Sequence, residues 1–203
     1  MPKLRPAAGW AALTAVSLVS AVLIGCAQTT PLLNQPLAWT PTNTLNLGIT
    51  RSQGTPATVR FEAFGDTAAN PALVGENLEQ ATPLLVTTAD PVGPFVTRHL
   101  QQLFAQAGYA PGGANADRVI SGNVQKFFVS ERDNYRGNVV LAIVVRDRSG
   151  NVVWQGTAWG MNQTFGRSYH IDNYQQVLSD ALIDAADNLL KNPDLRQALA
   201  LKN

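Results

Sequence analysis

Apolar and polar positions change their spacing several times along this chain, and each change marks an element. In ATVRFEAFGD, Val59, Phe61 and Ala63 alternate with Arg60 and Glu62, the period of two that a strand with one buried face requires. Residues 67–91 carry Pro and Gly punctuation and no sustained period, so they read as a loop. Val96, Leu100, Leu103 and Ala107 then recur at helical spacing, and Gly108 supplies a left-handed stop. After the turn APGGANAD come three strand candidates, residues 118–130, 137–147 and 151–165. The middle one, NVVLAIVV, is apolar on both faces, as expected of a central strand covered on at least one side. DRSGN offers the Gly and Asn of a tight hairpin, which predicts antiparallel pairing of the second and third.

The last segment opens with Asp172 and Gln175 at capping-box spacing. Tyr174, Val177, Leu178, Ala181, Leu182, Ala185 and Leu189 form one apolar stripe, and Pro193 limits the helix. The order β-α-β-β-β-α predicts a single α+β domain. It is a mixed, mainly antiparallel sheet with two helices packed on one face, its first strand joined to the second by a right-handed crossover. Alternation along NVVWQGTAWGMNQTF then sets Val153, Trp159, Met161 and Phe165 on one side of the sheet and Trp154, Ala158 and Gly160 on the other. Either Trp154 or Trp159 stands on the open face as a docking residue, or the tryptophans pack into the core. Gly156 and Gly160 leave room for a partner's backbone or for a bulge.

The N-terminus has a different pattern. Lys3 and Arg5 precede the uncharged AAGWAALTAVSLVSAVLIG, and Cys26, the single cysteine, follows at once. This is the layout of a secretory signal; a membrane span is the competing reading of the same apolar run. Leu23-Ile24-Gly25-Cys26 resembles the bacterial lipobox. The resemblance implies cleavage after Gly25, a diacylglyceryl thioether on Cys26 and acylation of its new amino group. Only a thiolate is nucleophilic enough for that thioether, and a lone cysteine has no disulfide partner. Two or three acyl chains hold a protein on a membrane essentially permanently. Ala27 after the cysteine is similar to the sorting pattern for the inner leaflet of the outer membrane, facing the periplasm. The division is therefore residues 1–25 signal peptide, 26–56 lipid anchor and Thr/Pro/Asn-rich flexible tether, and 57–203 globular domain.

Charge narrows the partners. The chain has 15 Lys and Arg against 14 Asp and Glu, and without the two cations of the signal it is near neutral. No global excess of positive charge is left to attract nucleic acid, and none to pull the domain onto anionic lipid.

The lipobox, VRFEAFGDTAANPALVG, HLQQLFAQAGY, VISGNVQKFFV, NVVLAIVVRDRSGNVVWQGTA and the closing NPDLRQAL together resemble the YajG-type lipoproteins of Gram-negative envelopes, over residues 23–200. Asp66 is followed by Thr67 and Ala68 where such proteins often carry an Asp-x-Arg. The architecture is also similar to auxiliary lipoproteins of envelope transport systems. The resemblance implies a non-catalytic accessory or scaffold that binds an envelope assembly or transport partner and needs no cofactor beyond the lipid on Cys26.

The residues offer little to an enzyme. His99 and His170 have no Cys, second His or carboxylate at metal-ligand spacing, so no metal is expected. No Gly-x-Ser-x-Gly elbow occurs, and GYAPGGANAD lacks the spacing of a phosphate cradle. A hydrolase-like envelope enzyme whose residues converge only in the fold is the alternative, and a concave pocket with several ionisable groups would mark it.

Overall fold

The structure, a computed structural model, describes residues 32–46 and 55–201. The segment read as a signal peptide, and Leu23, Ile24, Gly25 and Cys26 read as a lipobox, lie outside the described residues. Among those described, no helix is long and apolar enough to cross a membrane.

Eight strands form one sheet. β1 (Leu32–Asn34), β2 (Val59–Phe61), β3 (Gly65–Asp66), β4 (Leu73–Asn77) and β5 (Leu84–Thr87) precede α1 (Val92–Gln106). β6 (Arg118–Glu131), β7 (Asn134–Asp147) and β8 (Val152–Phe165) follow it, then α2 (Ile171–Lys191) and α3 (Pro193–Ala198). The order across the sheet is β1-β5-β4-β6-β7-β8, with β2 and β3 also paired to β6. β6, β7 and β8 make an antiparallel meander, while β2, β3 and β4 run parallel to β6 and β1 runs parallel to β5. β2 and β6, separated in sequence by α1, pair in parallel, as a crossover between them requires. The architecture is α+β as expected, with helices on one face.

Several elements match their sequence signals closely. The α2 stripe from Tyr174 to Leu189 is buried throughout, against Tyr135, Val139, Leu141 and Ile143 of β7. α1 buries Val96, Leu100 and Leu103, and Gly108 stops it with φ 92°. Gly150 turns the β7–β8 hairpin with φ 87°, and the Asp147 carboxylate accepts from the Ser149 and Asn151 amides. The capping box does not form. α2 begins at Ile171 behind an uncapped His170, so Asp172 lies inside the first turn, where an acid meets the helix dipole, and Gln175 donates to the Pro36 carbonyl instead.

Two readings need larger corrections. The supposed loop 67–91 contains the β4–β5 hairpin, whose strands of five and four residues are too short to show a period, with β4 further broken by a register shift between Leu73 and Gly75. The supposed tether is a strap over part of its length: after β1, residues 35–46 run across α1 and α2. The Leu37 amide donates to Asp90, and those of Thr42 and Asn43 to Asp180 at 2.9 and 2.8 Å. Thr42 Oγ1 also donates to Asp180 at 2.8 Å, and the Asn46 amide to Asp187 at 3.0 Å. Asp180 and Asp187 are seven residues apart, two turns on one side of α2, so their carboxylates satisfy a backbone that has no strand to pair with.

Candidate docking face

The meander places its residues strictly by alternation. Cross-strand partners share a face, and the register pairs Val140 with Trp159, Asn138 with Met161 and Arg136 with Gln163. β6 extends these rows, with Lys126 opposite Val140, Phe128 opposite Asn138 and Ser130 opposite Arg136. All of these lie on the face away from the helices. Trp159 is 56% exposed there, Met161 59% and Phe165 86%, and Val153 is also exposed. The alternation read from NVVWQGTAWGMNQTF is the one observed.

The two tryptophans separate. Trp154 is half-buried on the helix side and packs against the core, its ring lying over Gly156. Trp159 alone stands on the open face. Neither glycine leaves space for a partner, since the room at Gly156 is filled by Trp154 and that at Gly160 by α2. A Cβ at Gly160 would strike the Ala181 carbonyl and the Ala185 amide. α2 therefore lies directly on β8, and from there it covers part of the sheet's edge. Asp184 accepts from the Met161 amide at 2.9 Å, and Asn188 donates to the Trp159 carbonyl at 2.9 Å. Edge groups that would otherwise recruit another strand are occupied at the middle of β8.

The histidines do not meet. His170 is exposed at the head of α2, whereas His99 is buried in α1, stacked on the strap's Trp39 at 4.2 Å and edge-on to Phe95. Its Nδ1 bonds Gln102 at 2.8 Å. Burial holds the imidazole below its ordinary 6.5; the Gln102 bond opposes this and the Arg98 charge adds to it. An unfolded chain then binds the proton more readily than the fold does. The stability from neutral His99 is complete above pH 6.5 and is lost as pH falls through the depressed folded value. Asp117 and Asp147 are held below the ordinary carboxylate value by hydrogen bonds, mainly from Thr58 and Asn151 respectively, and so act at lower pH. Thermal melts should fall by a few degrees between pH 7.5 and 5.5, and His99→Phe should flatten that slope. An unchanged slope would remove His99 as its source.

Other chemistry-bearing groups are enclosed or engaged. Glu131 is fully buried, with Oε2 accepting from the Tyr174 hydroxyl at 2.8 Å and Oε1 unpartnered. Burial first, and Glu131 second, push the Tyr174 phenol far up. A cavity of about 290 Å³ beside Leu73, Val92, Val124 and Phe127 has only Asp66 and Lys126 as ionisable lining. A second hollow, about 320 Å³, is lined by Asp180, Asp184 and Asp187, all three already accepting backbone amides. Among the described residues, no group of three or more His, Cys, Asp or Glu is placed to hold a metal ion.

No family model matches the chain, and no curated relative matches it. Solved structures do. PelC, solved as a dodecamer from Paraburkholderia phytofirmans, aligns over 75% of this chain and 95% of that one, at 16% identity and TM-score 0.44. Lipoprotein GNA1162 from Neisseria meningitidis aligns over 54% and 85%, at 16% identity and TM-score 0.28. Protein XCC0632 from Xanthomonas campestris, of family DUF330, aligns over 80% of this chain and 96% of that chain, at 11% identity and TM-score 0.58. At that identity the likeness is one of fold alone.

Proposed function

We propose that this protein is a lipid-anchored lipoprotein of the outer membrane, facing the periplasm, that serves an envelope assembly or transport system as a non-catalytic accessory and acts by docking. The observation that carries this reading is the open face of the meander, where Trp159, Met161 and Phe165 stand exposed on a rigid sheet. Exposed apolar residues grouped in this way mark interaction surfaces. The lipobox at Leu23–Cys26 supports the anchor, and it carries the likeness to YajG-type lipoproteins together with the strand patterns. Burial of Glu131 and the bonding of Asp180, Asp184 and Asp187 speak against the hydrolase-like alternative.

The single cysteine makes a direct test available. Cys26→Ser should abolish fatty-acid labelling and leave an uncleaved precursor. With Cys26 acylated, a thiol introduced by Met161→Cys is the only one free. An impermeant maleimide should label it about tenfold more slowly in intact envelopes than in purified protein, the scale of a hot-spot contact of about 1.4 kcal/mol. A thiol at the exposed hairpin turn, Ser149→Cys, should react equally in both. Equal labelling of Met161→Cys would overturn the docking reading, and normal processing of Cys26→Ser would overturn the anchor.

A further inference from the structure

We infer that the open face of β6–β8 docks on the surface of an anionic lipid bilayer; the inference rests on the docking reading above and names the occupant of that face. Near-neutral total charge conceals a separation across the thickness of the domain. On the open face of the three long strands stand Lys126, Arg136 and Arg146; the neighbouring short strands add the Arg60–Glu62 ion pair and Glu76, which lies opposite Ser130 and accepts from its hydroxyl, so the face keeps a net positive sign. α2 carries the opposite sign, with Asp172, Asp180, Asp184 and Asp187 against Lys191 alone, while α1 adds only Arg98 and α3 is balanced by Asp194 and Arg196. Only Asp184 reaches the sheet, and it is engaged at the edge of β8. Anionic lipid would attract the open face and repel the helices, which fixes the orientation as well as the contact.

The cations and apolar groups are interleaved. One cross-strand row reads Lys126, Val140, Trp159, the next Phe128, Asn138, Met161, and the third Glu76, Ser130, Arg136, Gln163. Amphipathic rings, a thioether and long basic side chains on one face suit the boundary between headgroups and acyl chains, where the rings enter the apolar zone and the cations remain with phosphates. A second copy adding its own strand to β8 is disfavoured, because Asp184 and Asn188 already hold the Met161 amide and the Trp159 carbonyl.

The chain ahead of the sheet supplies the other argument. The sequence pattern gives a flexible tether over residues 26–56, but β1 is part of the sheet and begins at Leu32, six positions beyond Cys26. Six residues reach at most about 20 Å, so a lipidated Cys26 holds the domain beside the bilayer and makes docking effectively intramolecular.

The test uses the lipidated full-length mature protein in vesicles of phosphatidylcholine, with or without phosphatidylglycerol, and brominated acyl chains as quenchers of tryptophan fluorescence. Quenching should appear with phosphatidylglycerol and fall by more than half in Trp159→Phe, which keeps Trp39 and Trp154 and should melt with the parent. Lys126→Gln and Arg136→Gln should each weaken docking roughly fivefold, at about 1 kcal/mol per cation, and salt near 1 M should reverse it. Quenching equal in Trp159→Phe and the parent, or none in anionic vesicles, overturns the inference. If Met161→Cys is protected in native envelopes yet labels freely in these vesicles, a protein covers the face; the docking reading stands and the lipid occupant falls. If it labels freely in both, the docking reading itself fails.

Discussion

Gly160→Val should detach α2 from the sheet and lower the melting temperature by about 10 °C, a loss of about 3 kcal/mol or more. The position is in a long, well-paired strand, where valine would ordinarily be favourable. What forbids it is contact: the first side-chain carbon at Gly160 meets the Ala181 carbonyl and the Ala185 amide of α2. Helix backbone cannot yield by changing a rotamer, so α2 must move away as a body. That opens the interface holding Val177, Leu178, Ala181 and Leu182 against the strands. Gly113→Ala is the control, since nothing lies within 4 Å of the carbon it adds. A valine variant at 160 that melts within two degrees of the parent would show that α2 does not need this approach.

Asp180→Ala should release the strap. The buried carboxylate takes the amides of Thr42 and Asn43 and the Thr42 hydroxyl, and alanine would leave two backbone donors without partners in a part-buried site. Hydrogen bonds to a charged group and the cost of orphaned donors together give about 2–4 kcal/mol. Asp180→Asn should cost less, because its amide oxygen still accepts from both backbone groups. Limited proteolysis reads the effect locally: the alanine variant should be cut between residues 36 and 46 under conditions that leave the parent whole. Equal resistance in both would mean that the Trp39–His99 stack and buried Leu45 hold the strap unaided.

The strap also shows where the sequence ceases to be legible. Long elements with their own period, such as α2 with its stripe and the β7–β8 hairpin with Gly150, announce themselves locally, because alternation and turn chemistry need no knowledge of the rest of the fold. The same rule put Trp159 on one side with Met161 and Phe165 and Trp154 on the other, but which side is exposed depends on where the helices lie. β1, β4 and β5 are three to five residues long and exist only through partners elsewhere in the chain. The strap has no strand period at all, and its amides are satisfied by carboxylates about 140 positions away. Ser179, Asp180 and Asp187 are buried on α2 beside its apolar stripe, and buried acids require donors. The polarity of the two layers was hidden for a different reason. A total charge sums over faces, whereas a membrane would meet only one of them.

The strap has a consequence for the order in which this protein is made. It is synthesised early, while Asp180 and Asp187, the groups that hold it, lie near the other end of the chain. At about 5–20 residues per second, the strap waits on the order of ten seconds for the helix it will bind. The long strands β7 and β8 also finish late, so most of the core cannot close until α2 has emerged. The domain thus stays open through most of its synthesis, a state compatible with the export that the proposed lipid anchor requires.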